Sequence, residues 1–143
     1  MKKLDETSII KIFQKGLGKK KFDSEDVEVF NLGKNKIIAK TDTLVQSTDI
    51  PSKMGLSDAA RKSIVACVSD LASKGVKPDY GMISINLPNT VSRSKINQIV
   101  SGFRKASKEF NISILGGDTN EGKEIVFNVC LFGIVDKIVT RKD

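Results

Sequence analysis

Four acids stand where an element begins, ends or should exclude them: Asp26, Asp42, Asp70 and Asp118. Asp118 follows Gly116-Gly117 at the end of the apolar run 112–115. Two glycines let backbone come close to a ligand, and their N–H groups can face phosphate oxygens. A carboxylate at that spot repels phosphate unless a cation lies between, so the stretch predicts Mg²⁺ bridging carboxylate and phosphate. A polar turn is the competing reading. In "AKTDTLV" Asp42 falls inside an apparent strand, where Asp is depleted, with hydroxyls on both sides in Thr41 and Thr43. A solvent-facing Asp on an edge strand would look the same. Asp70, in "VACVSDLASKG", falls close to a helix C-terminus. There a carboxylate meets the negative end of the helix dipole, at a cost of about 0.3–1 kcal/mol that Lys74 or a metal would offset. Asp26 precedes a first strand, where acidic loops are common. The four acids are expected to converge on one rim of a sheet.

The chain contains no histidine. That excludes His-dependent triads and, with hard oxygen donors available, favours Mg²⁺ over zinc or copper. Cys67 and Cys130 are far apart in apolar stretches and read as buried reduced thiols. No residue announces itself as nucleophile or base. That fits metal-assisted phosphoryl transfer, where positioning and charge neutralisation carry the catalysis. The formal charge of +7 over 143 residues points to acidic partners, either a phosphorylated small molecule or nucleic acid. The basic run "KGLGKKK" (15–21) lacks an aromatic RNA-reading motif, so nucleic acid is not favoured, and it does not match a P-loop. No apolar run is long enough for a bilayer, and the N-terminus is broken by Asp5 and Glu6, so a cytoplasmic protein is expected.

The elements that must hold these acids follow from periodicity. Residues 4–15 read as a helix, 27–33 and 37–46 as strands, and 47–55 as a loop. A helix over 57–74 presents Leu56, Ala60, Ile64, Cys67, Val68 and Leu71, with Gly75 as its stop. A strand over 80–88 precedes a second long helix, 92–110, whose core face is Ile96, Ile99, Val100, Phe103, Ala106 and Phe110. Asn111 is its left-handed cap; strands at 112–115 and 124–135 complete the chain. This order predicts an α/β fold, a mixed sheet with helices packed on one face, and strand edges that need cover, as in a dimer.

"TDTLVQSTDIP", "KSIVACVSDLASKGVKPDY" and "ILGGDTNEG", in that order, resemble the N-terminal half of thiamine-monophosphate kinases, members of the aminoimidazole ribonucleotide synthetase-like superfamily. The resemblance implies ATP-dependent phosphorylation of thiamine monophosphate to thiamine diphosphate by direct in-line transfer assisted by several Mg²⁺ ions. It implies that Asp26, Thr41, Asp42, Asp70 and Asp118 are metal ligands, that Gly117, Asp118 and Arg141 contact the nucleotide, and that Asp49 falls at a substrate-contacting position. It also implies a homodimer whose strands build a shared barrel. Residues 1–143 are then the Mg-ATP-binding and dimerisation domain, with a C-terminal domain absent from this chain and little turnover expected without it.

The chain departs from the pattern at three places. Ser24-Glu25-Asp26 replaces the usual acidic G-D-D, Lys40 stands at an oxygen-ligand position, and Asp49 stands where many members have histidine. The substrate is therefore less constrained than the nucleotide. Alternatives are an ATP-dependent synthetase-like enzyme with another substrate, a basic nucleic-acid-binding module, and a dimerisation domain with a decayed site.

Overall fold

The structure is a computed structural model that describes residues 3–19 and 26–135. Its elements run α1 (Glu6–Gly16), β1 (Glu28–Leu32), β2 (Asn35–Val45), α2 (Gln46–Asp49), α3 (Leu56–Ala72), β3 (Tyr80–Leu87), α4 (Arg93–Glu109), β4 (Ser113–Glu121) and β5 (Val126–Ile134). Side chains cap the starts of α1 and α4. Asp5 accepts a hydrogen bond from the Ser8 N–H at 2.7 Å, and Ser92 accepts one from Lys95. At the far end of α3 the N–H of Val76 reaches the Leu71 carbonyl and that of Gly75 reaches Ala72, satisfying carbonyls the helix leaves open. Asn111 adopts φ 52°, the left-handed conformation expected of it.

The five strands form one mixed sheet in the order β1-β2-β5-β3-β4, antiparallel except for the parallel pair β3 and β4. Alternation along each strand separates two faces. Ile38, Leu44, Phe127, Val129 and Leu131 point to one face and are buried. Helix α3 covers it, with α4 alongside, and Phe103 of α4 meets Phe127 edge-on with centroids 5.1 Å apart. The helices approach closely at Gly102. A Cβ there would collide with the Ser57 carbonyl oxygen and come within 2.8 Å of the Ala60 methyl. Among the described residues no helix packs closely on the opposite face, which carries Phe30, Ile37, Ile134, Tyr80 and Met82; Tyr80 and Phe132 stack on it at 6.0 Å.

Three details differ from expectation. The fourth strand continues past Leu115 through the glycines and Asp118 to Glu121, so "GGDT" is strand backbone paired to β3 rather than a turn. A one-turn helix, α2, stands in the expected loop; the Gln46 N–H and side-chain oxygen clasp the Ile125 backbone, and Glu124 accepts from Ser47. The buried stripe of α4 is narrower than six residues. Ile99, Gly102 and Ala106 are buried, whereas Ile96 and Val100 remain exposed. Among the described residues no helix is long and apolar enough to cross a membrane.

Candidate functional site

Two adjoining rows of residues cross the sheet at the level of the acids. Asp42 pairs with Val129, Val129 with Ile83, and Ile83 with Gly117. In the next row Thr43 pairs with Asn128, Asn128 with Ser84, and Ser84 with Asp118. Neighbouring rows point to opposite faces. The first row shares the face of buried Val129, beneath the helices, and the second lies on the helix-free face. Asp42 and Asp118 thus stand at the same level but three strand spacings apart, roughly 14 Å.

On the helix-free face, Thr41, Met82, Ser84, Gly117, Asp118, Asn128 and Cys130 line a depression of about 340 Å³. Asn128 is oriented by the Thr43 hydroxyl, which donates to its Oδ1 at 2.6 Å. Backbone proximity explains why residue 117 is glycine, since any Cβ would strike the Ile83 carbonyl oxygen. On the helix side, the groove between β4 and α4 has about 590 Å³ and runs from Phe103 and Arg104 to Gly116, Gly117 and Asp118. The edge strand carrying Asp118 therefore borders space on both sides.

Below the helices, β2 presents Lys40 and Asp42 toward α3, which carries Asp70. The Lys40 ammonium lies 3.0 Å from Asp70 Oδ2, and this pair is largely withdrawn from solvent, with side-chain exposures of 16% and 33%. Burial works against the charge on Lys40, but the hydrogen bond and charge of Asp70, with Asp42 behind it, outweigh burial and raise its pKa above the ordinary lysine value. Cys67, fully buried beside them, is pushed up to about 12, first by burial and then by the Asp42 charge. Asp42 itself accepts from the Thr43 N–H at 2.9 Å.

Asp42 also lines a cavity of about 210 Å³ with Thr43, Leu44, Asp49, Lys62, Ser63 and Ala66. Asp49 turns back to accept the Val45 N–H at 2.7 Å, while Lys62 donates to the Asp49 carbonyl at 3.0 Å. Sequence reading did not single out Lys62; an exposed lysine on an amphipathic helix gives no signal of its own. Asp26 is exposed, immediately before buried Val27 and β1. Arg141 lies outside the described residues.

The structure therefore pairs Asp70 with Lys40, lines one cavity with Asp42 and Asp49, and lines one depression with Thr41 and Asp118. The expected four-acid rim is not assembled: among the described residues no three acids or thiols gather as a metal cage. Such a cage is not what Mg²⁺ requires. It keeps several waters and is usually held by one or two carboxylates plus substrate phosphates. Asp118, beside the Gly117 backbone and open space, fits that donor set.

Residues 24–135 match the profile of the AIR synthase related protein, N-terminal domain. The chain is 71% identical over 141 residues to a thiamine-monophosphate kinase of Nitrosopumilus maritimus, covering 99% of this chain and 44% of that one. It is 32% identical to the Methanocaldococcus jannaschii enzyme of the same name, covering 97% of this chain and 46% of that one. The chain thus spans less than half the length of these relatives. In three dimensions it resembles AaThiL complexed with AMPPCP and TMP, with a TM-score of 0.89 at 24% identity, over 99% of this chain and 46% of that one. Fold, strand order and sequence agree, and the chain belongs to the family of AIR synthase related proteins, as its N-terminal domain.

Proposed function

We propose that this chain is the Mg-ATP-binding half of a thiamine-monophosphate kinase, which transfers a phosphoryl group from ATP to thiamine monophosphate. The kinase relatives named above support the reaction. The observation that carries the site is the pair of adjoining cross-sheet rows that set Asp42 and Asp118 at one level. A separation of roughly 14 Å is too wide for one ion bound directly to both carboxylates, whose metal–oxygen distances are about 2.0–2.1 Å. The two stand on opposite faces of the sheet, so each would hold its own ion, Asp118 at the depression on the helix-free face and Asp42 at the small cavity beside Asp49 and Lys62. Asp118 and Asp42 would hold those ions, with the Gly117 backbone toward the phosphates, Thr41 across the same depression from Asp118, and Arg141 and Asp26 as further contacts. Bound Mg²⁺ would neutralise phosphate charge in the transfer. The residues themselves bind and orient: Gly117 lets β4 close against the Ile83 backbone, and Asp49 and Lys62 wall the small cavity next to Asp42 where the acceptor would enter.

The helix-free face supports a dimer. Phe30, Tyr80, Met82 and Ile134 are each 44–57% exposed on it, more apolar surface than an isolated sheet face ordinarily leaves in water. Two copies would cover it by joining their strands. A cytoplasmic location follows from ATP as co-substrate.

Calorimetric titration of the full chain with AMPPCP tests the nucleotide reading. Binding is expected with Mg²⁺ and lost with EDTA, and at least tenfold weaker in Asp118→Asn and Asp42→Asn. Binding that persists in EDTA and falls steeply with salt instead would favour a polyanion-binding surface.

A further inference from the structure

The ion pair between Lys40 and Asp70 bears on how many metal ions this protein needs. Lys40 projects from β2 on the same face as Asp42 and reaches Asp70 on α3 at 3.0 Å, in a crevice between sheet and helix. Cys67, fully buried one helical turn before Asp70, closes that crevice with its thiol donating to the Val129 carbonyl at 3.7 Å. The Lys40 ammonium is thus a positive charge already standing at the Asp70 carboxylate. A divalent ion bound to Asp70 Oδ2 would have to sit beside that ammonium, two cations against one oxygen in a region with little water.

We infer that Lys40 is a resident cation that takes the place of a divalent ion at Asp70, leaving Asp42 and Asp118 to carry metal with the nucleotide. This rests on the Mg-ATP reading above and narrows it. Lys40 acts as a positioning residue: it fixes Asp70 at 3.0 Å, without touching substrate. A single ammonium satisfies the Asp70 charge at every divalent-ion concentration, so occupancy of the site depends on fewer Mg²⁺ ions.

Counting Mn²⁺ by electron paramagnetic resonance, with the full chain saturated by AMPPCP, tests this without any turnover. Wild type and Asp70→Asn are expected to bind the same number of ions per chain. Lys40→Ser frees Asp70 and is expected to bind one more, and the double variant Lys40→Ser/Asp70→Asn returns to the wild-type number. Loss of an ion in Asp70→Asn alone overturns the inference, and that variant keeps the test decisive should Lys40→Ser not fold. An unchanged count in folded Lys40→Ser overturns it as well. If AMPPCP binds normally in either case, the nucleotide reading survives. If it binds no variant and not the wild type, both readings fall.

Discussion

The two faces of the sheet obey different rules. Beneath α3 and α4, Ile38, Phe127, Val129 and Leu131 are sealed from solvent, and the charges that enter are neutralised locally, Lys40 by Asp70. The other face carries Phe30, Tyr80, Met82 and Ile134 half in water, next to a polar half made by Thr41, Thr43, Ser84, Asn128 and Asp118. Both faces alternate correctly from the same strands, so the difference lies in what covers them. The covered face stabilises the domain. The open face has apolar and polar surface suited to a partner and a ligand, and that is where Thr41 and Asp118 share a depression.

Truncation should separate the faces most strongly. Phe127→Ala empties a fully buried site against Phe103 and is expected to cost about 3–5 kcal/mol in urea unfolding. Met82→Ala, 47% exposed, is expected to cost less than about 1 kcal/mol when measured at concentrations where the chain is monomeric. Equal losses at the two sites would erase the distinction. Next in size, Met82→Asp or Ile134→Lys is expected to shift sedimentation from dimer toward monomer while leaving monomer unfolding nearly unchanged. Dimers unaffected by either charge would remove the open face as the interface.

A smaller effect comes from alkali. The Cys67 thiol titrates from about 12 when folded and from 9.0 as a free group, so the folded state holds its proton more tightly. Its contribution to stability is complete below pH 9 and declines as pH rises from there toward 12. Cys67→Ala should flatten that part of the stability profile, whereas Cys130→Ala, on the open face with a smaller upward shift from burial, should flatten it less. The reverse ranking would place the protected thiol on the wrong face.

How legible these features were in the sequence depends on the range of the interaction behind them. Helices α3 and α4 could be read from caps and three- and four-residue spacing, because those signals are local. Strand β4 was cut short at Leu115, since glycine, aspartate and asparagine have low strand propensity; hydrogen bonds to β3, from partners such as Ser84 for Asp118 and Leu87 for Glu121, carry it on to Glu121. Helix α2 is one turn long and too short for any period. On α4, Ile96 and Val100 fit the spacing but stay exposed, because the contact with α3 runs through small Gly102 and Ala106, which a count of large apolar residues overlooks. The acids were each visible as anomalies of position. Their partition between two faces was not, because it depends on registers across β2, β5, β3 and β4 that no local pattern encodes. Lys40 could be seen as a charge inside a strand, but its partner lies on a helix 30 positions later.

The central claim is that Asp42 and Asp118, on opposite faces of one sheet, each hold a divalent ion, with the nucleotide phosphates at Asp118. Anomalous diffraction from crystals of the full chain grown with AMPPCP and Mn²⁺ measures it directly. Manganese peaks are expected within about 2.2 Å of both carboxylates, the one at Asp118 also touching a phosphate oxygen of AMPPCP. A bound AMPPCP whose phosphates and manganese lie away from Asp118 would contradict it.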